Sequence, residues 1–542
     1  MTGKSKKTLE KVIDAKQKAK DSWGEQKRIR VLLRFLFSRV TFLIVFLLIQ
    51  LGVLFFGFKW LGDYLVYAYG GYSLLTFIVV VHIINRQMNS NMKLSWIVPI
   101  LATPIFGALF YLYVRADLLT RKLESRLVNL HRESLPFRKE DKESFDCLEQ
   151  KDKQVAALAS YLKKHGDFPL YENTQVEYFA LGEQKWKRLL EELKKAEKFI
   201  FLEYFIVGKG KMWDSVLEIL KEKAAVGVEV RVMYDGTNTI SNLPFGYPKE
   251  LEAYGIKCRV FSELRPFLST VQNNRDHRKI VVIDGHTGFT GGINLADEYI
   301  NHRERFGHWK DTAIMLKGEA VQSLTLMFLE MWNVEEPWVE KWEKYCPYYP
   351  EKIVEDAVSA DGFVIPYCDS PLDKERVGEL VYLDILNTAT SYVHIMTPYL
   401  ILDDETIQAL SFAAKRGVET TIIMPHIPDK EFAYLLARTY YPELLEAGVN
   451  IYEYMPGFIH AKSFVSDDRE AVIGTINLDY RSLYLHFECA TYLYGCAAVA
   501  DVEADFRETL KKCQKITLED CKRYPARKRI VGKLLRLVAP LM

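Results

Sequence analysis

The hydrophobic and polar positions of this chain follow two patterns, with long apolar runs near the start and short apolar runs at regular intervals afterwards. Three uncharged apolar segments come first, at Val40–Phe58, Tyr64–Asn85 and Leu94–Val114. Each is close to the ~20 residues that a helix needs to cross a bilayer. We therefore predict membrane-spanning helices within residues 40–114, ahead of the rest of the chain.

Basic residues flank this apolar region on both sides. Lysine and arginine crowd the segment before it, at Lys4, Lys6, Lys7, Lys11, Lys16, Lys18, Lys20, Lys27, Arg28, Arg30, Arg34 and Arg39. Arg115, Arg121, Lys122 and Arg126 follow it. Because positive residues mark the cytoplasmic side of a membrane, both flanks are predicted to be cytoplasmic, which requires an even number of crossings. The first basic segment either is a solvated helix that only fixes this topology, or it also lies along the anionic lipid of the inner leaflet.

The third apolar segment contains residues that interrupt helices. Pro99, Pro104 and Gly107 favour a broken, re-entrant element there. The first segment can alternatively lie in the membrane interface, as a continuation of the basic stretch before it. We expect a multi-pass membrane protein with two true spans and a cytoplasmic catalytic region. The sequence leaves open which of the three segments does not span the membrane.

Beyond Arg115 the pattern alternates between strands and helices. The stretch KFIFLEYFIV predicts a buried strand, and MWDSVLEILKEKAAVGVEVRVMYDG predicts an amphipathic helix, a turn at Gly227 and a second strand. The same order returns in SYVHIMTPYLI and DDETIQALSFAAKRGVETTIIMP, with Gly417 in the turn. This internal duplication predicts an α/β fold with right-handed crossovers. Two similar halves facing across a pseudo-two-fold axis would build one site.

These patterns divide the chain into six parts. They are a basic amino-terminal segment at 1–39, a transmembrane region at 40–114, a linker at 115–170, a first domain at 171–345, a second domain at 346–520 and a basic carboxy-terminal tail at 521–542.

Composition and charge narrow the classes of function. The chain is 49% hydrophobic and 13% aromatic, which predicts a folded protein. The net charge of +1 by itself argues neither for nor against an anionic partner. The apolar segments and the near-neutral charge outside the amino terminus argue against nucleic acid as a partner. The eight cysteines occur singly, without the C-x-x-C or Cys/His clusters of structural zinc sites. A catalytic region in a reducing compartment fits this pattern.

Each half carries the same three chemical groups at the same spacing. They are His277, Lys279 and Asp284 in DHRKIVVIDG, and His460, Lys462 and Asp467 in IHAKSFVSDD. In an extended strand, side chains two residues apart lie on the same face, so each histidine is expected to point with its lysine. The duplication after matching β-α-β units favours a functional role for both copies.

Glycine and asparagine follow each motif. TGGIN contains Gly292 and Asn294, and IGTIN contains Gly474, Thr475 and Asn477. Glycine allows close approach of the backbone to a ligand, and asparagine donates hydrogen bonds without adding charge. Together with two lysines, which act as point charges on phosphate, these residues predict a phosphate site. Lysines among the candidate ligands argue against a divalent metal, so neither a metal nor another cofactor is expected.

These motifs resemble the phospholipase D superfamily, whose signature is a duplicated H-x-K-x4-D with a downstream G-x-x-N or G-G-x-N. The resemblance spans roughly Glu197 to Tyr494, and within the superfamily the chain is most similar to the bacterial cardiolipin synthases. Supporting stretches include IFLEYFIV, NNRDHRKIVVIDGHTGFTGGINLADEY and LSWIVPILATPIFGALFYLYV. Two positions depart from the superfamily pattern: Thr475 replaces the usual serine, and His486 precedes FE where asparagine is common.

The resemblance implies metal-independent phosphatidyl transfer at the bacterial cell membrane through a covalent phosphohistidine. One phosphatidylglycerol would give its phosphatidyl group to a histidine, and a second would accept it to form cardiolipin. The six motif residues would form the catalytic set, with Asp284 and Asp467 as structural or orienting partners. Gly292, Asn294, Thr475 and Asn477 would bind the substrate phosphate. His277 is preferred as nucleophile and His460 as acid and base, although the sequence is symmetric on this point.

Two other functions remain open from the sequence. A hydrolase of the same superfamily, or a transphosphatidylase with another acceptor alcohol, would use the same residues. A lipid-binding scaffold without activity would not need two intact histidines. The sequence does not determine the second lipid substrate or the oligomeric state.

Overall fold

The structure is a computed structural model that describes residues 48, 52, 64–115, 118–138, 142–263, 274–336, 341–346, 362–373 and 375–541. The predicted basic segment at 1–39 lies outside the described residues, as does nearly all of the first apolar segment.

Three helices form the first described part of the chain. They are α1 at Tyr64–Ile84, α2 at Ser90–Ala102 and α3 at Pro104–Arg115. The third apolar segment is thus broken at Thr103, as its prolines predicted. A Cβ on Gly107 would lie 2.6 Å from the Cα of Ile100, so the missing side chain lets α3 fold back closely against α2. Among the helices of the described residues, none combines the length and apolar character that a bilayer crossing needs.

Three further helices connect this part to the first sheet. They are α4 at Leu118–Ser134, α5 at Lys142–Lys151 and α6 at Lys153–Gly166. Apolar residues of all three are buried in the largest hydrophobic core, among them Leu130, Leu148 and Leu162. The described residues of the predicted linker at 115–170 are therefore folded and packed against the sheets.

The first half is built on a mixed sheet of seven strands. The strand order is β1-β9-β7-β6-β2-β3-β4. Its strands are β1 at Thr174–Phe179, β2 at Phe199–Tyr204, β3 at Glu229–Asp235, β4 at Lys257–Phe261, β6 at Lys279–Ile283, β7 at Thr287–Gly291 and β9 at Ala313–Gly318, while the short β5 at Arg275–Asp276 and β8 at His308–Lys310 pair elsewhere. Its helices are α7 at Gly182–Leu193, α8 at Lys211–Ala225, α9 at Asn238–Ser241, α10 at Tyr247–Glu252 and α11 at Val321–Trp332.

The second half repeats this arrangement around another sheet. The strand order along the main path is β10-β17-β16-β15-β11-β12-β13-β18. Its strands are β10 at Phe363–Asp369, β11 at Tyr392–Met396, β12 at Glu419–Pro425, β13 at Asn450–Tyr454, β15 at Ser463–Ser466, β16 at Glu470–Gly474, β17 at His486–Tyr494 and β18 at Cys513–Lys515, with the short β14 at Gly457–Ile459. Its helices are α12 at Val377–Thr388, α13 at Asp404–Lys415, α14 at Glu431–Ala437, α15 at Tyr441–Glu446, α16 at Tyr480–Tyr484, α17 at Ala497–Leu510, α18 at Leu518–Arg523 and α19 at Ala526–Arg536.

The duplicated β-α-β units predicted from the sequence are confirmed. β2 pairs in parallel with β3 across α8, and β11 pairs in parallel with β12 across α13. The predicted turn glycines are in the left-handed region, Gly227 with φ 92° and Gly417 with φ 95°. The protein thus has an α/β fold with two similar halves.

Candidate active site

A short strand ahead of each histidine pairs with the opposite half. In the first half, β5 pairs in parallel with the start of β17, and the backbone N–H of His277 donates to the carbonyl of Phe487 at 2.9 Å. In the second half, β14 pairs in parallel with β8, and the N–H of His460 donates to the carbonyl of Lys310 at 2.6 Å. These two pairings bring both histidines to the boundary between the halves.

Each histidine then meets a carboxylate that belongs to the other half. Nδ1 of His277 lies 2.9 Å from both carboxylate oxygens of Glu488. Nδ1 of His460 lies 2.6 Å from Oδ2 of Asp311. A carboxylate fixes the proton of its histidine on Nδ1 and leaves Nε2 with a lone pair. Within the described part of the chain, Nε2 of neither histidine has a hydrogen-bond partner.

Neither carboxylate is among the residues predicted from the sequence. Glu488 and Asp311 lie in HFECA and HWKDT, where a single acid follows a histidine at the end of a short strand pairing. An acidic residue buried at 0% exposure in such a stretch is unusual, and this burial signals a specific partner. The sequence alone does not reveal that the partner lies in the opposite half.

The two carboxylates are held in different ways. The hydroxyl of Thr475 donates to Oε2 of Glu488, so this hydroxyl supports a carboxylate. Oδ1 of Asp311 accepts from the backbone N–H of Thr312 at 2.8 Å. Gly292 packs directly against Asp311, where any side chain would collide with the carboxylate. Thr475 and Gly292, predicted to bind phosphate, thus contact the groups that orient the histidines.

The two motif lysines are buried beside the histidines. Lys279 donates from Nζ to the carbonyl of His277, and Lys462 donates to the carbonyl of His460. Each ammonium group retains further donors for an anion. Both lysine side chains belong to one electrostatic environment, because the charge of Lys279 acts on Lys462 and on both histidines.

Burial and neighbouring charge shift the pKa values of the site. Burial, followed by the positive charges of Lys279 and Lys462, lowers the pKa of His277 and of His460 well below the usual value for histidine. Both imidazoles are therefore neutral near pH 7 in the free site. Burial also lowers the pKa of Lys279 to about 8 and of Lys462 to about 7, and raises the pKa of Asp311 to about 6.

The motif aspartates lie at the start of a neighbouring strand rather than beside the histidines. Asp284 accepts from the backbone N–H groups of residues 197, 198 and 199 at 2.7, 2.7 and 2.8 Å, ahead of β2. Asp467 accepts in the same way from residues 390, 391 and 392 at 2.7, 2.9 and 2.9 Å, ahead of β11. Both have left-handed backbones, with φ 53° and 55°. Their contacts are those of structural partners.

The two downstream asparagines are buried and engaged within the chain. Oδ1 of Asn294 accepts from the N–H of Ile206 at 2.9 Å, and its amide donates to the hydroxyl of Tyr299 at 2.7 Å. The amide of Asn477 donates to the hydroxyl of Ser482 at 3.1 Å. Oδ1 of Asn477 is buried without a partner among the described residues. Of the two asparagines, Asn477 is therefore the one whose side-chain oxygen can still accept a hydrogen bond.

More aromatic rings lie around His460 than around His277. The ring of His460 lies 5.5 to 5.7 Å from those of Tyr299, Trp309 and Phe458. The ring of His277 lies 4.9 Å from that of Phe205 and 5.6 Å from that of His486. Burial lowers the pKa of His486 to about 4, so this third histidine is uncharged at neutral pH.

Donor atoms of His277, His486 and Glu488 lie within 4.8 Å of one another. Three such donors are enough in number for a metal ion. Glu488, however, already binds His277 and Thr475, and Lys279 adds positive charge beside it. The expectation that no metal takes part stays a prediction.

Comparisons with known proteins agree with this geometry. A family model described as "Cardiolipin synthase, PLD-like domain" matches residues 189–332 and 382–510, and one described as "Phospholipase_D-nuclease N-terminal" matches residues 74–115. An uncharacterised protein of Streptococcus mutans is 51% identical over 85% of this chain and 99% of its own length. A cardiolipin synthase of Geobacillus thermodenitrificans is 34% identical over 93% of this chain and 99% of its own length.

A solved structure shares the fold at low sequence identity. The phosphatidylserine synthase of Haemophilus influenzae aligns with 72% of this chain and 98% of its own, with a TM-score of 0.52 and 16% identity. Two duplicated halves, reciprocal histidine–carboxylate pairs and matches of this extent lead to one conclusion. The chain belongs to the cardiolipin synthase family of the phospholipase D superfamily and is an enzyme of that type.

Proposed function

We propose that this enzyme makes cardiolipin and glycerol from two molecules of phosphatidylglycerol through a phosphatidyl-histidine intermediate. The observation that carries the proposal is the pair of buried, neutral imidazoles, His277 and His460, each oriented by a carboxylate of the opposite half. One imidazole can serve as nucleophile while the other exchanges a proton. No cofactor takes part in this scheme.

In the first step, Nε2 of His277 forms a bond to the phosphorus of one phosphatidylglycerol, and the bond from phosphorus to the glycerol oxygen breaks. His460 gives the leaving oxygen a proton from Nε2. The negative phosphodiester beside the imidazole favours this protonated form in the substrate complex, and Asp311 stabilises it from the other side. Lys279 and Lys462 supply positive charge for the phosphoryl oxygens.

In the second step, the now neutral His460 takes a proton from a glycerol hydroxyl of a second phosphatidylglycerol. That oxygen bonds to phosphorus, the bond from phosphorus to His277 breaks, and cardiolipin leaves. His460 ends with the proton that it gave in the first step, so the cycle is balanced. The phosphodiester that forms resembles the one that breaks, and the reaction therefore needs no external energy source.

Two observations support an alcohol, rather than water, as the acceptor. The rings of Tyr299, Trp309 and Phe458 surround the proposed proton carrier with apolar surface, which disfavours entry of water. The relative from Geobacillus thermodenitrificans, which matches nearly the full chain, is named cardiolipin synthase. We propose that the amino-terminal apolar segments hold the enzyme in the cell membrane as a multi-pass protein, with the catalytic region on the cytoplasmic side.

Product analysis tests the proposal directly. Purified full-length protein is incubated with phosphatidylglycerol vesicles, and cardiolipin, glycerol and phosphatidic acid are measured together. Equal amounts of cardiolipin and glycerol, absent in a His277→Ala control, are expected. Phosphatidic acid as the main product would instead assign a hydrolase, and turnover only with another added alcohol would assign a different transphosphatidylase.

A further inference from the structure

The last α-helix of the described residues, α19 at Ala526–Arg536, packs against the second half. Its contact with α14 is made through Gly532, where a Cβ would lie 2.7 Å from the carbonyl oxygen of Leu435 and 2.8 Å from Cγ2 of Thr439. Lys528 adds an ion pair to Glu431 at 2.8 Å on the same side. The side of the helix that faces the protein thus presents Gly532 and Lys528, together with Leu535, which is partly buried against the core.

Most of the large apolar residues of α19 face away from the protein. Ile530, Leu534 and the following Leu537 are each 60% exposed. At about 100° per residue these three positions share one narrow arc, opposite to Gly532. A helix on the surface of a soluble domain normally buries its apolar face. The exposure of this second apolar face indicates that another apolar phase covers it.

The exposed apolar surface continues onto the amino-terminal helices. Oγ of Ser95 in α2 donates to the carbonyl of Leu537 at 3.4 Å, so α2 lies beside the end of α19. On α2 itself, Leu94, Val98 and Leu101 are exposed. The two helices therefore present neighbouring apolar residues, at opposite ends of the sequence.

The residues that border this apolar face are basic. Residues 525–541 contain five basic residues and no acidic one. The basic residues are Arg527, Lys528, Arg529, Lys533 and Arg536. Within the described part of the chain, Arg527, Arg529 and Lys533 have no ion pair. An apolar face bordered by unpaired basic residues is the pattern of a helix that lies in the surface of an anionic bilayer.

The position of α19 connects that surface to the active site. α14, on which α19 rests, begins directly after Lys430. The positive charge of Lys430 acts on both His277 and His460, so this loop lies close to the catalytic groups. A bilayer bound by α19 would consequently lie on the side of the second half that carries Lys430.

We infer that α19 is an interfacial helix, whose face of Ile530, Leu534 and Leu537 inserts into the surface of an anionic membrane and holds the catalytic site against it. The occupant is the lipid surface itself. The insertion needs no lipid chemistry, whereas its benefit to turnover rests on the proposed function. Binding and catalysis are therefore measured separately.

Lipid contact is measured on the full-length protein in vesicles. A polarity-sensitive dye is attached to the cysteine of the variant Leu534→Cys. The variant Val226→Cys is the matched control, because Val226 is exposed on the first half. The signal from the parent protein, labelled at its own cysteines, is subtracted from both. Spin-labelled lipid should quench the dye at 534 but not at 226 in vesicles containing phosphatidylglycerol. Replacing Arg527, Arg529 and Lys533 by glutamine should reduce this quenching severalfold.

Equal quenching at 534 and 226 would overturn the inference. Dye burial that depends on protein density rather than on lipid charge would assign the face to a second copy of the chain, and would also overturn the inference.

Turnover is a separate readout. In the variant Ile530→Ser/Leu534→Ser/Leu537→Ser the turnover rate on vesicles should fall roughly tenfold or more. Its turnover rate on short-chain monomeric phosphatidylglycerol should stay unchanged. Val226→Ser/Phe245→Ser/Phe412→Ser, which alters three other exposed apolar residues, should keep both rates.

Discussion

His277 and His460 have the same motif spacing and the same kind of partner, but the groups behind the two carboxylates differ. Glu488 meets His277 with both oxygens and is supported by the side chain of Thr475. Asp311 meets His460 with one oxygen and is supported by backbone. The two halves therefore share the histidine–carboxylate pair but differ in the groups that hold the carboxylate. A mutation of one of these groups can affect one histidine at a time.

This difference agrees with distinct roles for the two histidines. A carboxylate that contacts His277 with two oxygens restrains the ring, which suits a nucleophile that must keep its line of attack. Burial raises the pKa of Asp311 to about 6, near the usual value for histidine, which suits a partner in proton exchange. We retain His277 as the proposed nucleophile and His460 as the acid and base.

Replacing the two carboxylates should give the largest effects and separate the roles. In Glu488→Gln and Asp311→Asn the amide can hold the wrong tautomer, and kcat should fall on the order of 100- to 10,000-fold. A phosphatidyl ester of p-nitrophenol distinguishes them, because its leaving group needs no proton. Asp311→Asn should keep a burst of nitrophenolate, and Glu488→Gln should lose it. Loss of the burst in Asp311→Asn alone would reverse the assignment.

The two lysines should produce the next largest effect, as a loss of activity at alkaline pH. Burial lowers the pKa of Lys462 to about 7 and of Lys279 to about 8. Both lysines lose their charge as pH rises through these values, so kcat/KM should fall by about tenfold for each unit above the controlling pKa. Lys462→Arg should move this limb to higher pH, since arginine stays protonated. An unchanged limb would show that another group controls it.

Thr475 offers a smaller change that affects only the first histidine. Thr475→Val removes the hydroxyl that donates to Glu488, and a lost hydrogen bond of about 1 kcal/mol corresponds to roughly fivefold in rate. The rate of nitrophenolate release should fall by this amount, while Thr475→Ser should behave like the parent. Equal losses in the valine and serine variants would mean that shape, rather than the hydroxyl, matters.

Asp284 and Asp467 should affect stability more than catalysis. Removing either carboxylate in an alanine variant leaves three backbone amides without their acceptor, which should lower the free energy of unfolding by about 2–4 kcal/mol. Activity per folded molecule should change little. Denaturant melts of both variants, with activity measured below the transition, check this prediction. A complete loss of activity in folded Asp284→Ala would contradict it.

The pH dependence of stability sharpens the same point for Asp467. Burial alone would raise its pKa, but the backbone amides of residues 390–392 lower it below the usual value. The stabilisation is therefore present above the unfolded pKa of about 4, and is lost as pH falls through the folded value. The difference in stability between the parent and Asp467→Ala should shrink in acid.

Local patterns predicted much of this fold and part of its site. The strands and helices around Gly227 and Gly417 follow from hydrophobic periodicity within about thirty residues. The His-x-Lys motif is visible from its own repeated spacing. Glu488 and Asp311 could not be found in this way, because their meeting with the histidines depends on β5 pairing with β17 and β14 with β8. Such long-range register is not encoded in local spacing.

Two other features show where local reasoning stops. Thr475 was expected to bind phosphate because it occupies the serine position of the motif, but its hydroxyl contacts Glu488. The segment at 115–170 was predicted to be a linker, yet its helices bury Leu130 and Leu148 in the main core. In both cases the deciding contact comes from a part of the chain that is distant in sequence.

The most direct test of the central claim is the site of covalent attachment. The p-nitrophenyl phosphatidyl ester is mixed with full-length His460→Ala, which can form the intermediate but lacks the base that transfers it onward. The reaction is quenched at alkaline pH, where phosphohistidine survives, and digested for mass spectrometry. We predict a phosphatidyl group on His277, and none anywhere in His277→Ala. A parent enzyme that makes cardiolipin while neither histidine ever carries lipid would contradict the account.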